Sequence, residues 1–225
     1  MNKVFIPTTT PMDWKQFLAD PETQWKSGHS AKAVAYSWQE ANGLPEEVRE
    51  ILTSAPCFEG IVSLVTLPEH KVALPGGVTA SANDVWLLAR TERDLVSIAV
   101  EGKVSEPFGE TVGEWLKDAS EGKQKRLAFI FKALNFKQRP PDNIRYQLLH
   151  RSVSALIEAR RFHAKHAVML VHSFSQTDEW FEDYAAFLNL FNLTAETNEV
   201  VTAGVKSGIQ LHFAWVRGNQ RYLTV

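Results

Sequence analysis

The chain has 225 residues, of which 44% are hydrophobic and 22% charged, with a formal net charge of -2. That balance gives enough apolar material for one substantial core and excludes a protein whose whole surface is a nucleic-acid footprint. No apolar run approaches the roughly 20 residues of a membrane-crossing helix, the start Met1 to Pro7 lacks a signal-peptide stretch, and a lone cysteine rules out an internal disulfide. The expected location is therefore the cytoplasm. Cys57 is read as a packing residue, since it cannot by itself build a cysteine-based zinc site.

The opening is irregular and then helical. Ser30 can cap a helix running to about Asn42-Gly43, and Pro45 with Glu46 and Glu47 starts another through Leu52. Residues 60–67 read as a strand, Leu74-Pro75-Gly76-Gly77 breaks the chain, and residues 84–90 form a second strand beginning at Asp84. The polar turn Thr91-Glu92-Arg93-Asp94 returns the chain into a third, residues 95–103, so the last two strands should form an antiparallel hairpin. Residues 109–134 contain two helices broken near Asp118 to Gly122. Pro140-Pro141-Asp142 leads into a long amphipathic helix, residues 143–162, with Leu149, Val153 and Leu156 on its apolar side and Gln147, Arg151, Ser154 and Glu158 opposite. An apolar strand at 166–174, a helix at 178–191 and a final strand at 209–216 complete an α/β chain. Near-continuous apolar strands separated by helices imply a central mixed β-sheet flanked by helices, within one domain spanning 1–225.

The third strand ends in Glu101-Gly102-Lys103. Side chains alternate along a strand, so Glu101 and Lys103 share one face with Ser97 and Ala99. Burying such charges is costly unless they are paired or hold a metal, and an intrasheet salt bridge or a solvated strand end would show the same letters. Antiparallel pairing brings Asp84 to the same end of the sheet. This arrangement, helix, strand, strand beginning with Asp, strand ending with Glu-x-Lys, helix, strand, resembles the PD-(D/E)xK nuclease superfamily over about residues 30–174. Asn83 stands where the family name has proline.

The resemblance implies a restriction-endonuclease-like core (α-β-β-β-α-β), extended at residues 175–225 by a helix and a strand of the same domain. It also implies hydrolysis of nucleic-acid phosphodiester bonds with Mg²⁺ or Mn²⁺. Asp84, Glu101 and Lys103 would be catalytic, and Asp84, Glu101 and the Gly102 carbonyl would hold the metal, an oxygen set suited to a hard cation. Lys103 would orient or deprotonate the attacking water. Glu40, Glu69 and Gln147 are accessory candidates, with a solvent-facing helix glutamate as the plain alternative for Glu40, and Trp86 could flank the site.

Residues 122–141 contain no acid but carry Lys123, Lys125, Arg126, Lys132, Lys137 and Arg139 among Phe129, Phe131 and Phe136. Lys123, Lys125 and Arg126 are the candidate nucleic-acid contacts, against a solvated helix face. No histidine pair has the spacing of a helical zinc motif, so His150, His163, His166 and His172 read as structural or surface residues. Gly-x-Ser-x-Gly and Gly-x-x-x-x-Gly-Lys patterns are absent, which disfavours acyl transfer and nucleotide hydrolysis. The rival to catalysis is an interaction module for nucleic acid or protein, with Glu101 and Lys103 as a structural pair; a homodimer is compatible with either. The whole chain also resembles an uncharacterised bacterial protein family, in the blocks Pro68-Glu69-His70-Lys71-Val72, 99–109, 145–158 and 166–174.

Overall fold

The computed structural model describes residues 7–225. Its frame is a six-stranded mixed sheet in the order β1-β2-β3-β4-β6-β5, made of β1 (Val62–Val72), β2 (Ser81–Arg90), β3 (Leu95–Lys103), β4 (His166–Ser173), β5 (Glu199–Lys206) and β6 (Ile209–Arg217). Strands β1 to β3 pair antiparallel, β4 runs parallel to both β3 and β6, and β5 closes the far edge antiparallel to β6. The helices are α1 (Pro21–Gln24), α2 (Ser30–Glu40), α3 (Glu46–Thr53), α4 (Val112–Trp115), α5 (Glu121–Leu134), α6 (Tyr146–Arg161) and α7 (Phe181–Asn189). An α/β fold with a central mixed sheet flanked by helices is thus what the chain adopts.

Each face of the sheet has its own core. On one, Ala99, Met169, Val171, Phe213 and Trp215 pack beneath α5, α6 and α7; on the other, Val85, Leu87, Ile98, Val100, Val168 and Leu170 meet Val34 and Trp38 of α2 and Val48 and Leu52 of α3. Strand β4 is buried at all eight of its residues, as a strand covered on both faces must be, which is why Ala167 to Val171 read as an unbroken apolar run. Each such Val or Leu adds about 1.5–3 kcal/mol relative to exposure. Among the described residues, no helix is long and apolar enough to cross a membrane.

Several boundaries differ from the sequence expectation. Strand β1 continues through Pro68 and Glu69 to Val72, which proline permits because β1 is an edge strand with no neighbour on its outer side. Strand β2 begins at Ser81, so Asp84 lies inside it rather than at its start. Helix α2 has His29 at its cap position, and the Ser30 N–H is taken by the Glu106 carboxylate from the loop after β3. The C-terminal part is a helix and a hairpin, because β5 was not anticipated: its residues are half-exposed and interrupted by a bulge at Gly204, whose φ of +75° suits glycine.

Helix α6 is buried on its polar side as well as on its apolar one. Arg151, Ser154 and Glu158 are buried at 6%, 0% and 1% exposure, and Gln147 is half-buried, so the stripe lies against the sheet. Leu149, Val153 and Leu156 are buried too, between α6 and its neighbours. A helix enclosed on both sides can hide charges only where the sheet supplies partners, and β1 to β3 do so.

Candidate functional site

Three carboxylates stand abreast on three adjacent strands. Pro68 pairs with Val85 and His70 with Asn83, which puts Glu69 opposite Asp84; one step beyond the Val85–Val100 pair, Asp84 meets Glu101. Glu69 takes a φ of +48°, an uncommon conformation for a residue with a side chain, at the position flanking the row. Of the two accessory glutamates, Glu69 therefore joins the site. Glu40 does not: it is exposed on α2 and accepts from Arg221 at 2.9 Å and from the Tyr222 hydroxyl at 3.0 Å.

Glu101 is 3% exposed and fully engaged. Its Oε1 accepts from Lys103 Nζ at 2.7 Å and its Oε2 from Arg151 Nε at 2.6 Å. Lys103, itself 4% exposed, also reaches Gln147 Oε1 at 3.4 Å, and its ammonium sits 4.9 Å from the centre of the Phe108 ring. Gln147 is thus part of the cluster. Arg151 lies 4.0 Å from Asp84 Oδ1 and donates to Ser81 Oγ at 3.0 Å, while Ser81 bonds His150 Nδ1 at 2.7 Å.

Gly102 acts through its N–H, which donates to Asp84 Oδ2 at 2.7 Å. A Cβ at this position would lie 2.3 Å from Val34 Cγ2 and 3.3 Å from Asp84 Oδ2, so the close approach of α2 to β3 requires glycine. Trp86, next along the same face, is buried, stacks on Phe162 at 5.2 Å and donates to Ser97 Oγ at 3.0 Å. It forms the wall behind the row.

The three carboxyls are unequally matched. Glu101 has Lys103 and Arg151 in contact, Asp84 has Arg151 at 4.0 Å and the Gly102 N–H at 2.7 Å, and Glu69 is attracted by Arg151 and Lys71. Burial and the neighbouring Glu101 push Asp84 up to about 7, and burial together with Asp84 pushes Glu69 up to about 8. Burial acts on Glu101 in the same sense, but Arg151 and Lys103 outweigh it and hold that carboxyl below its ordinary value. The cluster thus splits into an ionised glutamate locked by two cations and a pair of carboxylates that share protons near neutrality. Among the described residues, the Glu69 carboxylate and Asp84 Oδ1 accept no protein hydrogen bond. Asp84 keeps 22% of its side chain exposed, so solvent reaches it.

Arg151 was missed as a site residue. Its spacing four after Gln147 and seven before Glu158 marks a polar stripe, but a stripe facing solvent and one facing a charged sheet have the same spacing.

The basic stretch is only partly a surface. Lys123 Nζ donates to the Trp115 carbonyl at 2.7 Å and lies over that ring, and Arg126, 9% exposed, donates to the carbonyls of Pro75 and Leu74 at 3.1 and 3.3 Å. Lys125 alone of the three is exposed. Lys123 and Arg126 line a cavity of about 260 Å³ with Gly76, Ser81, Tyr146 and His150. Through Ser81 this cavity adjoins Arg151 and hence the acid row.

The chain matches, over residues 7–220, the family described as Domain of unknown function (DUF6946), and belongs to that family. No curated protein and no solved structure matches it.

Proposed function

We propose that this member of the DUF6946 family is a metal-dependent, nuclease-like phosphodiesterase acting on nucleic acid, with Glu69, Asp84, Glu101 and Lys103 at its centre. The observation that carries this reading is the row of three carboxyl side chains on adjacent strands beside a buried lysine. Mg²⁺ or Mn²⁺ fits the donors: they are hard oxygens, and Glu69 and Asp84 Oδ1 have no competing protein hydrogen bond among the described residues. Asp84 and Glu69 would hold the ion, with the outer lone pairs of Glu101 and the Gly102 carbonyl completing the protein's share. A bound divalent ion would supply charge neutralisation at the phosphate and lower the pKa of water.

The protein groups have separate tasks. Lys103, oriented by Glu101 and Gln147, faces the attacking water and offsets charge developing on the phosphate. Arg151 holds Glu101 ionised and in place. Lys123 and Arg126, in the cavity beside Ser81, supply cations for the phosphate chain, and Lys125 extends them to the surface.

A second reading is supported by a specific contact set. Both oxygens of Glu101 are already satisfied by Lys103 and Arg151, which is what a non-catalytic interaction module on this fold would need in order to bury its charges. Melting temperature in Mg²⁺ and Mn²⁺, compared between the wild type and Asp84→Ala, separates the two, since a ligand bound only by the native state raises its melting point. Cleavage of labelled single-stranded DNA, duplex DNA and RNA is then followed with a chelated control. The nuclease reading expects a metal-dependent melting shift that Asp84→Ala abolishes, and cleavage reduced about 10²-fold or more by Lys103→Ala. Folded protein that shows no shift and cuts none of the three in either metal leaves the interaction module.

A further inference from the structure

At the other end of the sheet, Cys57, His166 and His212 bring one ligand atom each to within 4.8 Å of one another. They come from three separate elements: the single-turn helix Pro56–Phe58, the first residue of β4, and β6. His166 is paired with Gln210, so His212 lies two residues further on and on the same face. The fully buried Phe58 ring packs at 5.5 Å from His166 and 4.8 Å from His212, fixing both imidazoles.

The nitrogens are sorted by their neighbours. His166 Nδ1 and His212 Nε2 face each other at 3.0 Å. The outer nitrogens look elsewhere, His212 Nδ1 to Thr202 Oγ1 at 2.9 Å and His166 Nε2 toward Asp94 Oδ2 at 3.9 Å. With the proton between the rings moved to an outer nitrogen, the Thr202 hydroxyl and the Asp94 carboxylate stand on the side of the outer N–H groups, and both inner nitrogens are free to ligate a metal. Tetrahedral zinc with Zn–N bonds of about 2.0–2.1 Å separates two nitrogens by roughly 3.3 Å. The two rings therefore need to part by only a few tenths of an ångström. Cys57 is half-buried and, with His166, lines a cleft of about 300 Å³ that also contains Glu59, Glu92 and Asp94. The cleft provides the entry path and room for a fourth ligand.

We propose that Cys57 Sγ, His166 Nδ1 and His212 Nε2 form a zinc site whose fourth position opens to this cleft. One thiolate and two imidazoles select a borderline-soft ion such as Zn²⁺ over the hard cations suited to the carboxylate row. Binding releases the thiol proton to solvent as the thiolate ligates, with no change of oxidation state. The site is independent of Glu69, Asp84 and Glu101. Val96 pairs with His166, and Glu101 lies five residues further along β3, a separation of roughly 16 Å at the rise of a strand.

The test loads the full-length apo-protein with Zn²⁺, and separately with Co²⁺ as a spectroscopic probe. We expect one tightly held Zn²⁺ per chain, a thiolate-to-cobalt charge-transfer band with intense tetrahedral d–d absorption, and protection of Cys57 from alkylation by N-ethylmaleimide once zinc is added. Cys57→Ser should abolish the band, and His212→Gln should weaken zinc binding at least tenfold, with both variants checked for native circular dichroism. Should His212→Gln fail to fold, the wild-type alkylation and cobalt measurements decide alone. Absence of stoichiometric zinc, or a cobalt spectrum unchanged by Cys57→Ser, overturns the proposal and leaves a Thr202–His212–His166 hydrogen-bond chain.

Discussion

The two ends of the sheet bury polar groups by opposite means. At the end reached by β3, the chain buries charged groups and pairs them, with Glu101 held between Lys103 and Arg151. At the end where β4 begins, it buries two imidazoles beside a half-buried thiol, with Phe58 packed on the rings. The comparison shows how donor chemistry follows from burial strategy. A charged row has to be neutralised by salt bridges, protons or a hard cation, whereas neutral nitrogen and sulfur donors can wait for a softer ion without a comparable electrostatic cost.

The strongest way to break this contrast is Arg151→Ala. It leaves Glu101 and Asp84 facing Lys103 alone, and loss of one partner from a buried ion pair should cost about 3–5 kcal/mol in urea unfolding. The cobalt spectrum at the Cys57 end should be unchanged in whatever fraction remains folded. A smaller effect is expected from Gly102→Ala, because the new Cβ would collide with Val34 and force α2 away from β3; overpacking of this kind costs about 1–3 kcal/mol. An unaltered unfolding midpoint would mean that α2 yields freely at that contact.

The finest test uses pH, in the presence of a chelator. Glu69 and Asp84 have folded-state values raised to about 8 and about 7, so between about pH 4 and 8 these two groups bind more protons in the folded protein than in the unfolded chain. Their contribution to stability is therefore present in acid and lost as pH rises through the folded values. His212 has the opposite sign. Burial pushes it down to about 3, so its neutral form favours folding more as pH rises from about 3 to 6.5, the ordinary histidine value. Glu69→Gln removes part of the falling limb only, and should raise the melting temperature more at pH 8 than at pH 5, by a few degrees. Equal gains at both pH values would show that Glu69 does not titrate with the row.

Much of the frame was legible. The third strand runs over residues 95–103, as its apolar run and polar turn indicate, and it pairs antiparallel with β2 as the short connection requires. Asp84, Glu101 and Lys103 do come together, since a hairpin joins residues close in sequence. The α6 helix was legible, but which side its polar stripe faced was not. Periodicity reports that polar residues share a stripe and says nothing of what lies opposite. The burial of part of the basic stretch was not legible for the same reason, because Lys123 and Arg126 find carbonyl partners on other segments.

The sequence by itself determined local matters: the period of each helix and strand, the breaks at proline and glycine, and the Glu-x-Lys at the end of a buried strand. Tertiary structure alone decided which charges meet. Arg151 reaches Glu101 across 50 positions and His212 reaches His166 across 46, distances over which no local preference operates. Such meetings are set by sheet order and by the packing of α6 and the Pro56–Phe58 turn on opposite faces. Those depend on burying apolar surface from the whole chain at once.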